Sequence, residues 1–158
     1  MTIAFTRRRA LVSFGAVAAA AAGGAAWLLA ARPAEAAGTV YKSPTCGCCG
    51  AWVEHMAAAG LRLRVEDVAD VTPTKRAQSV PGHLASCHTA LIDGYVFEGH
   101  VPAAQVRRLL AERPDVRGLA VPGMPIGSPG MEGPTPAPYT VYAFDRAGRG
   151  RPFARIEP

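Results

Sequence analysis

Three of the four cysteines fall within four residues, Cys46-Gly47-Cys48-Cys49, and the fourth, Cys87, stands 38 positions after Cys49. No other feature constrains the fold as strongly. An even cysteine count in an exported chain ordinarily signals disulfides, and four cysteines allow three pairings. Such bridges stabilise a small domain by closing long loops in the unfolded chain. Clustered cysteines close almost none. Crowded thiols suit redox chemistry or metal binding instead, and both call for a fold that returns Cys87 to the cluster.

Export is legible at the start of the chain. Arg7, Arg8 and Arg9 precede an apolar stretch from Ala10 to Ala31, and Ala34-Glu35-Ala36 follows. A basic cluster, an apolar region and an A-x-A site make a signal peptide. The twin arginines after Thr6 favour Tat export. The apolar stretch is long enough to span a membrane, but it is mostly alanine and glycine and a cleavage site follows directly. The expectation is a Tat-type signal peptide over residues 1–36, cleaved near Ala36. Residues 37–158 then form one periplasmic domain with no stable membrane insertion. The signal holds four of the 17 basic residues and one of the 12 acidic ones, so the net charge falls from +5 to +2. No basic stripe interleaved with aromatics remains, which argues against nucleic acid as a partner.

The mature part alternates strand and helix signals. Val40-Tyr41-Lys42 is β-prone, and Ser43-Pro44-Thr45 turns toward the cysteines. A helix is predicted from Ala51 to Ala59, with Trp52 and Met56 on its apolar side and Gly60 as its stop. Leu61, Leu63 and Val65 alternate with charged residues as a half-buried strand. Thr72-Pro73 opens a short helix. Thr89–Ile92 and Tyr95–Phe97 flank Asp93-Gly94, a hairpin signal. Pro102 opens a helix through Glu112. Residues 114–138 hold seven prolines and five glycines and are predicted to be a long loop without regular structure. Tyr139–Phe144 and Phe153–Ile156 form a last strand pair. The predicted class is α/β, a thioredoxin-like β-α-β / β-β-α core with an added C-terminal β-hairpin. That order puts Cys46 at the first strand-to-helix junction, where a helix N-terminus lowers a thiol pKa.

Cys46 and Cys49 make a C-x-x-C pair, able to act as a thiol–disulfide oxidoreductase. Cys48, inside the pair, would compete as a resolving thiol, and Cys87 has no part in such a reaction. Four converging thiolates form a soft site suited to Cu(I), zinc or an iron–sulfur cluster. Structural zinc sites draw on C-x₂₋₄-C pairs, and adjacent Cys48 and Cys49 fit one tetrahedral ion poorly. Thiolates bridging several Cu(I) ions tolerate that crowding. Iron–sulfur spacings are absent. Copper therefore leads and zinc is the runner-up, with simple disulfide bonding as the structural alternative. His88 is the best candidate ligand beyond the cysteines. Met124 and Met131 offer thioethers, and the proline-rich loop is expected to fold over the cysteines as a lid carrying them. His100 is read as a cap of the following helix, His55 as solvated, His83 as a turn residue, and Trp52 as core beneath the site.

Four stretches carry a resemblance. Tyr41-Lys-Ser-Pro-Thr-Cys-Gly-Cys-Cys-Gly50, His83-Leu-Ala-Ser-Cys-His-Thr89, Glu98-Gly-His-Val-Pro102 and the run from Gly118 to Glu132 resemble a bacterial family, once a domain of unknown function, that includes the CopG-type copper-resistance proteins. The resemblance spans nearly all of the mature chain. It implies a periplasmic thioredoxin-like protein that binds several coppers through Cys46, Cys48, Cys49 and Cys87. Periplasmic copper chaperones or efflux components are the protein partners such a role implies.

Overall fold

The computed structural model describes residues 37–157; the signal peptide expected over residues 1–36 lies outside the described residues. Strand β1 (Gly38–Lys42) runs into helix α1 (Gly47–Ala58), and β2 (Leu63–Asp67) returns parallel to β1. Helix α2 (Thr72–Ala77) and a 3-10 turn (Gly82–Leu84) lead to the antiparallel hairpin of β3 (Thr89–Ile92) and β4 (Tyr95–Gly99). Helix α3 (Ala103–Glu112) follows, then β5 (Gly118–Val121), β6 (Tyr139–Phe144) and β7 (Gly150–Ile156). The strands form one mixed seven-stranded sheet in the order β2-β1-β3-β4-β5-β6-β7. The class is α/β. Among the described residues no helix is long and apolar enough to cross a membrane.

Local chemistry accounts for most of these elements. Asp93 and Gly94 adopt φ of 48° and 84°, the double positive φ of a two-residue hairpin turn. Helix α1 buries Cys49, Trp52 and Met56, whose spacings of three and four place them on one face. It begins at Gly47, four residues before the predicted start. Gly47 and Gly50 each cost only about 1 kcal/mol in a helix, and burying Cys49 on the same face as Trp52 outweighs that.

The largest departure is β5. Residues 114–138 were predicted to lack regular structure, yet Gly118–Val121 is a wholly buried strand between β4 and β6. A strand covered on both faces shows no alternation, and the surrounding prolines mask four apolar residues. Gly118 is required there: a Cβ would lie 1.8 Å from the Val96 carbonyl oxygen in the paired strand. Gly118→Ala should therefore cost about 3 kcal/mol or more, the upper end of overpacking penalties, because backbone cannot yield as a side chain does. Urea unfolding checks this, and a loss within about 1 kcal/mol would contradict the pairing.

The sheet separates two apolar clusters. Phe97, Leu119 and Val121 pack with Trp52, Met56, Val106 and Leu109 of α1 and α3. Val96 and Ala120, alternate neighbours on β4 and β5, pack with Leu84 and Phe144 on the other side. Register then gathers the chain's chemistry. Tyr41 pairs with Thr89, Thr89 with Glu98, and Gly99 with Val121. The end of β1, the start of β3 and the ends of β4 and β5 thus share one end of the sheet. Every cysteine, His88, His100 and the loop after β5 emerge there.

Candidate metal centre

Cys46 caps α1 with extended backbone, and Cys48 and Cys49 occupy its first turn. Cys49 is buried, while Cys46, Cys48 and Cys87 are half-buried. The segment before β3 brings Cys87 to the same place, so all four sulfurs lie within 4.8 Å of one another. Cys46 and Cys49 are joined as a disulfide with their Cα atoms 5.3 Å apart. Cys48 and Cys87 are free thiols, and the Cys48 sulfur sits 3.5 Å from that of Cys46.

Cys87 also belongs to a second group, with His88 and His100. Its sulfur is 3.0 Å from His100 Nε2 and 3.4 Å from His88 Nδ1. Both imidazoles are fully buried. His100 Nδ1 lies 2.7 Å from the Pro129 carbonyl oxygen. A carbonyl only accepts, so Nδ1 carries the ring proton and the Nε2 lone pair faces Cys87. A carbonyl holding the Nδ1 proton in this way fixes the ring of a metal-binding histidine and turns its other nitrogen to the ion. The His88 ring leans on Trp52, centroids 4.4 Å apart, and its Nε2 is buried without a partner among the described residues. A soft sulfur cluster, one imidazole lone pair aimed at Cys87 and a second ring nitrogen 3.4 Å from the same sulfur together fit a thiophilic ion such as Cu(I).

Burial dominates the electrostatics. It pushes the Cys87 thiol up to about 11, with the nearby Cys48 adding to the effect, so the apo thiol is protonated and can donate to His100 Nε2. A bound metal would replace that proton, which couples loading to proton release. Burial, followed by His100, Lys75 and Lys42, pushes His88 down to about 3. In the unfolded chain His88 titrates near 6.5, so below that pH the unfolded state binds the extra proton. The metal-free protein with the Cys46–Cys49 disulfide intact should therefore lose stability as pH falls from about 6.5 to about 3, by up to about 1.4 kcal/mol per pH unit from this residue. Urea midpoints across that range should fall less steeply in His88→Asn; parallel slopes would assign the loss elsewhere.

The loop after β5 docks on the centre through its backbone. A Cβ on Gly130, whose φ is 85°, would meet the Cys48 carbonyl oxygen at 2.6 Å and Trp52 N at 2.9 Å. Pro129 and Gly130 thus close over the first turn of α1. Met131 is half-buried, and Met124 is 38% exposed at a positive φ of 48°. Trp52 is core beneath the site, and its indole N–H donates to the Val101 carbonyl. Two histidines differ from their sequence reading. His100 is part of the centre rather than a helix cap. His55 is the cap: its Nε2 accepts the Ala103 N–H at the start of α3, and burial lowers its pKa. Glu98 was read only as part of a motif and given no role, although a carboxylate directly after Val96-Phe97 in a short strand was a signal.

Residues 84–131 match a family model described as a protein of unknown function, DUF411. Two solved chains of a copper resistance protein CopG, Form 2 and Form 1, are similar to this chain. The first is 42% identical with a TM-score of 0.72 and covers 76% of this chain and 97% of its own. The second is 42% identical with a TM-score of 0.71, over 77% and 97%. No curated protein sequence matches.

Proposed function

Because the chain belongs to the family of the copper resistance protein CopG, we propose that it is a periplasmic copper-binding protein that holds several Cu(I) ions on Cys46, Cys48, Cys49 and Cys87. The observation that carries this reading is the convergence of four sulfurs within 4.8 Å. So compact a set serves several ions best when the thiolates bridge them. His100 and His88 supply nitrogen donors at the Cys87 side, and Met124 and Met131 are the remaining candidate ligands, on the loop above. Zinc is the competing ion.

The chain is exported by the Tat route and cleaved near Ala36. Its β-α-β unit, hairpin and α3 make a thioredoxin-like core, with the β6–β7 hairpin added. Its protein partners are periplasmic copper chaperones or efflux components, and its role is copper resistance. Anaerobic Cu(I) titration of the reduced mature chain, with elemental analysis, tests the proposal. More than one tightly held copper per chain is expected; one ion or none would reject a multinuclear site.

The Cys46–Cys49 disulfide supports a second reading, a thiol–disulfide oxidoreductase. Catalysed reduction or oxidation of a partner disulfide that survives Cys48→Ser and Cys87→Ser would favour it.

A further inference from the structure

Glu98 is the least expected residue near the centre. Its carboxylate is fully buried at the end of β4. A buried carboxylate is tolerated only when paired and hydrogen-bonded, and three donors converge on it. Lys75 of α2 approaches Oε1 at 2.5 Å, and the Ser86 backbone N–H donates to the same oxygen at 2.6 Å. The Thr89 hydroxyl donates to Oε2 at 2.7 Å. Lys75 also donates to the Thr89 hydroxyl at 3.1 Å. Ser86 and Thr89 bracket Cys87 and His88 in the chain. The next residue of β4 helps, since the Gly99 N–H donates to the His88 carbonyl at 3.0 Å. Cys87 lies outside every helix and strand, so nothing in a regular ladder sets its position.

We infer that Glu98 is the positioning residue of this centre, its carboxylate clamping Ser86 and Thr89 so that the Cys87 sulfur stands against Cys46, Cys48 and Cys49. The inference rests on the four-cysteine reading for its purpose, but the clamp acts without metal. Lys75 neutralises the carboxylate and ties α2 to the same point. A 1 Å displacement of Cys87 would leave the fold intact while separating its sulfur from the other three.

The test uses the free thiols. In the metal-free mature chain with Cys46–Cys49 oxidised, diamide takes two electrons and two protons from Cys48 and Cys87 and links them. The rate is followed by mass mapping of the linked peptides, in urea-free buffer and at matched fractions folded. Glu98→Ala should slow linking by about tenfold or more, since a misplacement of about 1 Å can cost a reaction about a hundredfold. Glu98→Gln should stay within about threefold, because its amide oxygen still accepts from Ser86 and Lys75 while its NH2 meets the Thr89 hydroxyl. Thr89→Val, which removes one arm of the clamp, should fall between them. A folded Glu98→Ala chain that links at the wild-type rate would overturn the inference. If that variant does not fold, a wild-type rate in Thr89→Val overturns it instead. Copper titration of the same proteins separates the two ideas: a wild-type chain that binds no copper rejects the metal reading, while the linking rates still decide the clamp.

Discussion

Reducing the Cys46–Cys49 disulfide should raise the copper capacity of the chain from at most one Cu(I) to several. The thiolate is the form of cysteine that binds metal, and the disulfide removes two of the four sulfurs that could bridge ions. What remains in the oxidised chain is Cys48, Cys87 and the imidazoles of His88 and His100. That set can hold one ion between two sulfurs and a ring nitrogen, but it has too few thiolates to link several. Reduction releases Cys46 and Cys49 in place, since α1 already carries them beside Cys48. Parallel anaerobic titrations of oxidised and phosphine-reduced protein measure the difference. Equal capacities would put the copper elsewhere on the molecule.

Replacing Cys87 should be the most damaging single substitution for copper and among the mildest for the fold. Its sulfur is the one atom common to the four-cysteine group and to the group with His88 and His100. Removing it breaks the bridge between the helix thiols and the nitrogen donors at once. Cys87→Ser should therefore weaken Cu(I) affinity by about 100-fold or more, roughly 2.7 kcal/mol, and lower the copper count. The thiol is half-buried and outside the disulfide, so the stability change should stay within about 1 kcal/mol, as for substitutions away from packed cores. Cys48→Ser should likewise lower the copper count with the fold intact, whereas a Cys46/Cys49 redox pair would keep both reacting sulfurs. Competition with a Cu(I) chelator gives the affinities. Wild-type affinity in Cys87→Ser would remove it from the centre.

The cysteines were legible because their spacing argued against a framework of loop-closing disulfides, and the hairpin was legible because Asp93-Gly94 is a local signal. What lies between could not be read that way. Strand β5 is four apolar residues amid prolines, recognisable only once Gly118 is seen against the Val96 carbonyl. His100 and Glu98 owe their roles to register: the pairing of Thr89 with Glu98 and of Gly99 with Val121 carries them to the end of the sheet that holds Cys87. Pairing partners are non-local, and periodicity within one strand does not name them. His55 shows the same limit. Its place on α1 suggested solvent, and only the packing of α3 against α1 brings the Ala103 N–H to its ring. The resemblance carried by the four motifs anticipated the family and His88 was already a candidate ligand, while the place of His100 beside Cys87 waited for the fold.

X-ray absorption at the copper edge of the reduced, copper-loaded mature chain tests the multinuclear thiolate centre most directly. A Cu(I) edge with a first shell dominated by sulfur and a short copper–copper vector is the expected result. A shell dominated by nitrogen or oxygen, or sulfur-bound copper with no neighbouring copper, would contradict a centre built on Cys46, Cys48, Cys49 and Cys87.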